Sequence, residues 1–218
     1  MPRKVQFTAE EIVDAAWELV REKGWEGLSV TAVAKKIGSS TMPVYSYFEN
    51  LDSLKDAVTK KGWEILMAYE KKNYTGDVWV DQSMGYIRFA MEHTHLFYAM
   101  FDGRNVELQS KMLWKHWQSL VESLEDYQDL KDLEAEQRFL IRYSRAMMTH
   151  GVATAVLDKR GKFLQAEGMI ENLITAASKA ILEGFKKTYT LEDSNIAFLD
   201  KEINSFFEQV KKLQQENK

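Results

Sequence analysis

The chain has 218 residues, 45% of them hydrophobic and 28% charged, with a formal net charge of -4. That is enough apolar matter for a packed core, which excludes a disordered chain, and the acidic balance excludes a protein that coats nucleic acid by charge alone. The absence of cysteine excludes disulfides, Cys-ligated zinc and thiol chemistry, and every apolar run is shorter than the roughly 18 residues a membrane span needs.

The opening "MPRKVQFTAEE" reaches charged residues too soon for a signal peptide, so a cytoplasmic protein is expected, with no membrane partner. Proline occurs only at Pro2 and Pro43, and good helix formers dominate the periodic segments. An all-α protein is therefore expected, with a three-helix helix-turn-helix domain followed by a helical bundle.

The first helix starts at a capping box, Thr8-Ala9-Glu10-Glu11, with Phe7 and Ile12 spaced as a hydrophobic staple. Ile12, Ala16, Leu19 and Val20 share a face, and Gly24 stands where a left-handed cap is expected. A second helix runs from a Ser29 cap through Val33, Ala34 and Ile37 to Gly38. A third covers about 41–47, and a fourth starts near Asn50 and continues through Leu54, Val58 and Trp63. Helices of about two turns are not stable alone, so the second and third must hold each other across the "IGSS" turn, as in a helix-turn-helix.

In that motif the second helix of the pair enters the major groove by its amino end, and the first lies across the backbone. Ser39, Ser40 and Thr41 then offer hydroxyls to phosphates, Met42 and Pro43 offer apolar surface to a thymine methyl, and Tyr45 and Tyr47 have the reach to donate to phosphate oxygens. One hydroxyl of Ser39, Ser40 and Thr41 is also expected to cap the third helix. Ser29 and Thr31 face the opposite wall of the groove. Val44 and Phe48 turn inward against Val33, Ile37 and Leu54, while Lys35, Lys36 and Lys55 lie nearby and Arg3 and Lys4 form a basic arm.

The stretch "FTAEEIVDAAWELVREKGWEGLSVTAVAKKIGSSTMPVYSYFENLDSLKDAV" resembles the DNA-binding domain of the tetracycline-repressor (TetR) family of bacterial transcription regulators, over about the first 60 residues. The likeness lies in the alanine-containing first helix, the "GLSV" entry to the second, "VAKKIG", and "VYSYF" followed by a leucine. It implies phosphate and base contacts from Ser29, Thr31, Thr41, Met42, Pro43, Tyr45, Ser46 and Tyr47. One position departs: the family often has a phosphate-binding lysine at the start of the fourth helix, where this chain has Leu51. Over residues 1–61, Lys and Arg match Asp and Glu at nine each, so the head is formally neutral.

Residues 73–77, "NYTGD", signal a turn, and the chain divides into a head at 1–63 and a ligand-binding and dimerisation domain at 64–218. Periodicity predicts further helices at 79–101, 106–127, 133–157, 167–187 and 193–216, with linkers "DGRN", "DLKD" and "DKRGK" at 102–105, 129–132 and 158–162. The resemblance implies a small molecule held between these helices. Soft and aromatic side chains there suit an apolar or amphipathic effector, the candidates being Met84, Ile87, Met91, Phe97, Met100, Trp114, Trp117, Tyr143, Met147 and His150.

Arg138, Arg142 and Arg145 recur on one helical side, to be expected as a solvated or ion-paired face, or as neutralisers of an anionic effector. The last two helices carry one-sided apolar patterns, and Leu173, Ala177, Ile181, Phe185, Leu199, Ile203, Phe206 and Phe207 are expected to form a homodimer interface. The four histidines lack ligand spacing, so no metal is expected, and no cofactor motif or catalytic constellation is present. The expected function is a non-enzymatic, ligand-responsive repressor on a double-stranded DNA operator. Alternatives are an activator of the same fold, or a helical small-molecule carrier that has lost DNA binding.

Overall fold

The computed structural model describes residues 7–188. The arm residues Arg3 and Lys4, the predicted helix at 193–216 and its interface candidates Leu199, Ile203, Phe206 and Phe207 lie outside the described residues. Among the described residues all regular structure is helical: α1 Ala9–Lys23, α2 Val30–Lys36, α3 Met42–Tyr45, α4 Leu51–Glu70, α5 Val78–Glu92, α6 Thr94–Met100, α7 Val106–Glu122, α8 Gln128–Lys131, α9 Ala135–Leu157 and α10 Met169–Thr188. Turns of 3₁₀ helix occupy Gly24–Gly27 and Lys159–Gln165. No described helix is long and apolar enough to cross a membrane.

The chain forms two compact units, one containing residues 7–66 and 92–109, the other 67–91 and 110–188. In the first, the expected capping box opens α1: the Thr8 side chain accepts from the Glu11 amide at 3.1 Å, and the Thr8 amide donates back to Glu11 Oε2 at 2.8 Å. Such a cap stabilises a helix by about 1 kcal/mol. At the other end Gly24 has φ 66° but ψ -163°, so it is not a left-handed helical cap; it opens the 3₁₀ turn, in a region of backbone space that only glycine enters easily.

The predicted helix at 79–101 is interrupted at His93, which has φ -128° and ψ 44°. No proline or glycine marks the break. Its cause is tertiary: the buried His93 ring packs 5.5 Å from Trp17, and the α6 residues Phe97 and Met100 enter the core of the first unit beside Trp63 and Phe101. The Asp102 carboxylate accepts from Trp25 Nε1 at 2.6 Å, and Asp56 accepts from Arg104 at 2.7 Å and Asn105 at 2.9 Å, so residues 102–105 are tied to this unit as well. The predicted helix at 106–127 ends at Glu122, and the predicted linker at 129–132 falls largely within the one-turn helix α8.

In the second unit α5 is enclosed on every side. From Trp79 to Ala90 only Arg88 is exposed, and the buried set includes the polar Asp81, Gln82 and Ser83. Each polar group is matched: Asp81 accepts from the Thr75 amide and hydroxyl at 2.7 Å, Gln82 donates to Leu120 O at 3.1 Å, and Ser83 accepts from Thr149 at 2.8 Å. Trp79 lies with Leu124, Leu130, Ile141 and Leu182 in an apolar cluster. A helix can be buried all round only if its polar side chains find partners, because an unmatched one costs about 1–3 kcal/mol.

The close crossing of α5 and the end of α4 depends on Gly85, where an added Cβ would stand 2.6 Å from Glu70 Cα. Overpacking against backbone costs about 1–3 kcal/mol, and in a chain of this size each kcal/mol moves Tm by roughly 2–4 °C. Gly85→Ala is expected to lower the thermal midpoint by about 3–10 °C, followed by circular dichroism at 222 nm. An unchanged midpoint would mean that the crossing opens without strain.

Candidate nucleic-acid interface and effector region

The α2–α3 pair is held as its sequence requires. Ser29 caps α2, accepting from the Ala32 amide at 3.1 Å. At the end of α2, Gly38 takes φ 70°, its amide donates to Lys35 O at 3.2 Å, and the Ser39 amide reaches back to Ala34 O at 2.9 Å. This pair of bonds is a Schellman closure, and it reverses the chain in a conformation that only glycine adopts without strain. Val33, Ala34, Val44 and Leu54 are buried, which locks α3 in place; Phe48 and Ile37 are partly buried. An Asn50–Ser53 box then starts α4, with Ser53 N donating to Asn50 Oδ1 at 2.9 Å.

The outer surface of this pair is polar and uncommitted in part. Met42 is 71% exposed and Tyr45 56%, and the hydroxyls of Ser40, Thr41 and Tyr45 make no hydrogen bond within the described residues. The expected side-chain cap on α3 is absent: Thr41 has helical φ -73°, ψ -14° and no capping bond, so its hydroxyl stays free. Thr31 is exposed, and Pro43 sits in the first turn of α3, where no intrahelical partner is lost.

The other candidates are engaged. Ser46 donates to Met42 O at 3.0 Å and Ser29 serves its cap. Tyr47, though 46% exposed, donates to Phe7 O at 2.9 Å, so its hydroxyl joins α3 to the residue before the α1 cap, and a phosphate contact would require that bond to break. Lys55 pairs with Asp52 at 3.1 Å, Lys36 with Glu18 at 2.8 Å, and Lys61 with Asp14. The Lys36 contact holds the exposed Glu18 carboxyl below its ordinary range and raises Lys36. The neutral head therefore spends much of its positive charge internally.

The effector candidates do not form one set. Phe97 and Met100 are core residues of the first unit. In the second unit Met84 and Ile87 are buried, Met91, Tyr143 and Met147 are exposed, and Trp114 and Trp117 are partly buried. Trp117 packs with Phe139 and Tyr143 at ring distances of 5.5 and 6.3 Å. His150 is half-buried with Nδ1 2.8 Å from the Tyr86 hydroxyl. Burial raises Tyr86, helped by the Glu70 charge, and lowers His150, so both shifts favour the neutral forms in this contact.

Beside them is a polar interior that sequence reasoning missed. His116 Nε2 stands 2.8 Å from both carboxylate oxygens of the buried Glu70, and the Tyr86 ring stacks on His116 at 6.2 Å. Arg145 is also buried, contrary to the expected solvated or ion-paired face: it donates to Trp79 O and Gln82 Oε1 and lies over the Trp79 ring. The available signal was "WVDQSMGY", whose polar residues fit no amphipathic phase, as in a helix buried all round. No group of three His, Cys, Asp or Glu suited to a metal occurs among the described residues.

Residues 12–58 match the model of the family of bacterial regulatory proteins called tetR. Residues 12–58 are therefore a TetR-type N-terminal domain. Known structures with the same fold include a protein of unknown function from Rhodococcus sp. RHA1, 18% identical, with TM-score 0.59 over 84% of this chain and 98% of that one. A tetR-family transcriptional regulator from Streptomyces coelicolor is 17% identical, with TM-score 0.59 over 90% of this chain and 95% of that one. The TetR-family regulator PfmR from Thermus thermophilus is 17% identical, with TM-score 0.50 over 79% of this chain and 97% of that one. No curated protein matches the sequence significantly.

The two tyrosines of this TetR-type head separate experimentally. Tyr47→Phe removes an internal hydrogen bond and is expected to cost about 1 kcal/mol of stability. Tyr45→Phe removes a hydroxyl with no internal partner and is expected to leave thermal unfolding unchanged. Differential scanning calorimetry of both variants reads the contrast, and equal midpoints would contradict the Tyr47–Phe7 bond.

Proposed function

We propose that this protein is a ligand-responsive transcriptional repressor of the TetR family that binds a near-palindromic operator as a homodimer and is released by a small apolar or amphipathic effector. The observation that carries the DNA-binding part is the free end of α3: Thr41 and Tyr45 present unbonded hydroxyls beside exposed Met42, on a helix fixed from behind by Val44. Hydroxyls already satisfied internally gain little from a phosphate, whereas these two gain a partner. Tyr45, Thr41 and Ser40 are the contacts to phosphate, and Met42 with Pro43 the apolar contact to a base.

The proposed dimer face draws on the described helices α9 and α10. Ile181 and Phe185 are partly buried and pack on one side against the Trp79 cluster of their own unit. On α10 the large apolar residues that face outward are Met169 and Leu173, 40% and 36% exposed, with Ala177 partly exposed, and α9 presents Tyr143 and Met147, 47% and 51% exposed. The homodimer therefore uses α9 and α10 together in a four-helix contact with a second copy. Effector binding in the second unit acts on the head through α4, which is continuous from Leu51 to Glu70 and contributes residues to both units. A coupling of about 1–3 kcal/mol changes operator affinity five- to 150-fold.

The test starts from duplexes selected out of a random library by the full-length protein at low salt. The double variant Thr41→Ala/Tyr45→Ala is expected to lose binding to the selected duplex by at least about ten-fold, with its Tm unchanged. Failure of the parent to select any duplex would favour the carrier reading, which the neutral head and Leu51 make specific. Because Lys36, Lys55 and Lys61 are paired internally, the salt dependence of operator binding is expected to be shallow. Its log–log slope should be smaller in magnitude than about 6 for a two-headed complex, or roughly three phosphates per head. A steeper slope in fluorescence anisotropy titrations would show that these ion pairs open on DNA.

A further inference from the structure

Among the described residues, the interior of the second unit contains a cation with no anion beside it. Arg145, in the middle of α9, is 3% exposed. Its two terminal nitrogens donate to neutral acceptors, Trp79 O and Gln82 Oε1, and its guanidinium carbon lies 3.8 Å from the centre of the Trp79 ring. Its Nε has no hydrogen-bond partner, and no carboxylate of the described residues comes within ion-pair distance. Burial pushes the group down to about 9, which still leaves it charged at neutral pH.

The surroundings do not remove the imbalance. Arg142, one turn earlier, is partly buried; its Nε also lacks a partner among the described residues, and its Nη2 reaches only Leu124 O at 3.5 Å. Arg138 adds a third positive charge, which with burial pushes Arg142 down. The acids that act on Arg145 from a distance are engaged elsewhere. Glu70 holds His116 with both oxygens at 2.8 Å, and Asp77 accepts from the Trp79 amide at 2.9 Å and lies 3.4 Å from the Tyr127 hydroxyl. Asp81, the other buried acid of α5, is occupied by Thr75.

A guanidinium has five N–H donors in a planar fork, and Arg145 uses two of them on protein acceptors. A fork with Nε–H free matches the two oxygens of a carboxylate, and taking a charge out of water is costly unless an opposite charge comes with it. Trp79, against which the guanidinium lies, belongs to an apolar cluster with Leu124, Leu130, Ile141 and Leu182.

We propose that Arg145, supported by Arg142, binds the acid group of an amphipathic organic acid, a carboxylate carried on an apolar chain. This deepens the effector reading and rests on it for its regulatory meaning, though not for binding itself. Arg142 supplies the second positive charge at the carboxylate, and the apolar chain lies along the Trp79 cluster. Decanoate is a suitable probe, with decanol and decyltrimethylammonium as neutral and cationic heads on the same chain.

Binding is read on the full-length protein by tryptophan fluorescence and thermal shift, and regulation by release of a selected operator duplex. Decanoate is expected to bind at least about ten-fold more tightly than either comparison compound. Arg145→Gln should abolish that preference, weakening decanoate by about ten-fold or more while leaving decanol unchanged, and Arg142→Gln should weaken decanoate by a smaller factor. If Arg145→Gln does not fold, the head-group preference of the parent and the Arg142→Gln effect decide the matter. A purely structural pin to α5 predicts equal binding of decanoate and decanol, and that result overturns the proposal, as does binding by none of the three. If decanol or decyltrimethylammonium binds and releases the operator while decanoate does not, the acid site fails and the effector reading survives. Decanoate that binds through Arg145 without altering operator affinity supports the acid site and ends the effector reading.

Discussion

Helices of seven and four residues have almost no stability of their own, so the helix-turn-helix depends on the apolar contacts that hold α2 and α3 together. Val33, Ala34, Val44 and Leu54 supply those contacts, and the closure at Gly38 sets the angle at which they meet. Everything presented outward, from the Thr41 hydroxyl to the Tyr45 ring, inherits its position from that small core. The bond from Tyr47 to Phe7 O extends the same logic to the start of α1. The head is thus a rigid bracket with a few free polar groups on its outer edge, rather than a cationic surface.

The second unit is organised by the opposite problem. Its central helix α5 has no solvent-facing side over most of its length, so polar residues that would ordinarily mark a surface have to be satisfied inside. Asp81, Gln82 and Ser83 find partners in neighbouring segments, and Glu70 and His116 satisfy each other. Such interiors are specific because each partner must be in place. Arg145 is buried among them with its Nε unpartnered in the described residues.

Much of the head was legible in the sequence because its signals are local. The Thr8–Glu11 box, the Ser29 cap, Gly38 and the inward Val44 each follow from residue chemistry within a few positions, and each is present in the structure. The commitment of Tyr47 to Phe7 spans 40 residues, and the pairing of Lys61 with Asp14 spans 47, so neither has a local signature. The break at His93 is of the same kind: the segment reads as a continuous helix, and only the packing of His93 on Trp17 accounts for the interruption.

By itself, then, the amino-acid order determined the helical class, the turn that makes a helix-turn-helix and the identity of the groups on its outer edge. These depend on backbone propensity, capping and apolar spacing, which act over one or two turns. Tertiary structure alone decided which tyrosine keeps a free hydroxyl, that residues 92–109 pack with the first unit, and that Arg145 is buried while Met147 is exposed. An arginine and a methionine on one helix give the same periodic signal whichever way the helix is turned, and the orientation is settled by the neighbours that enclose it.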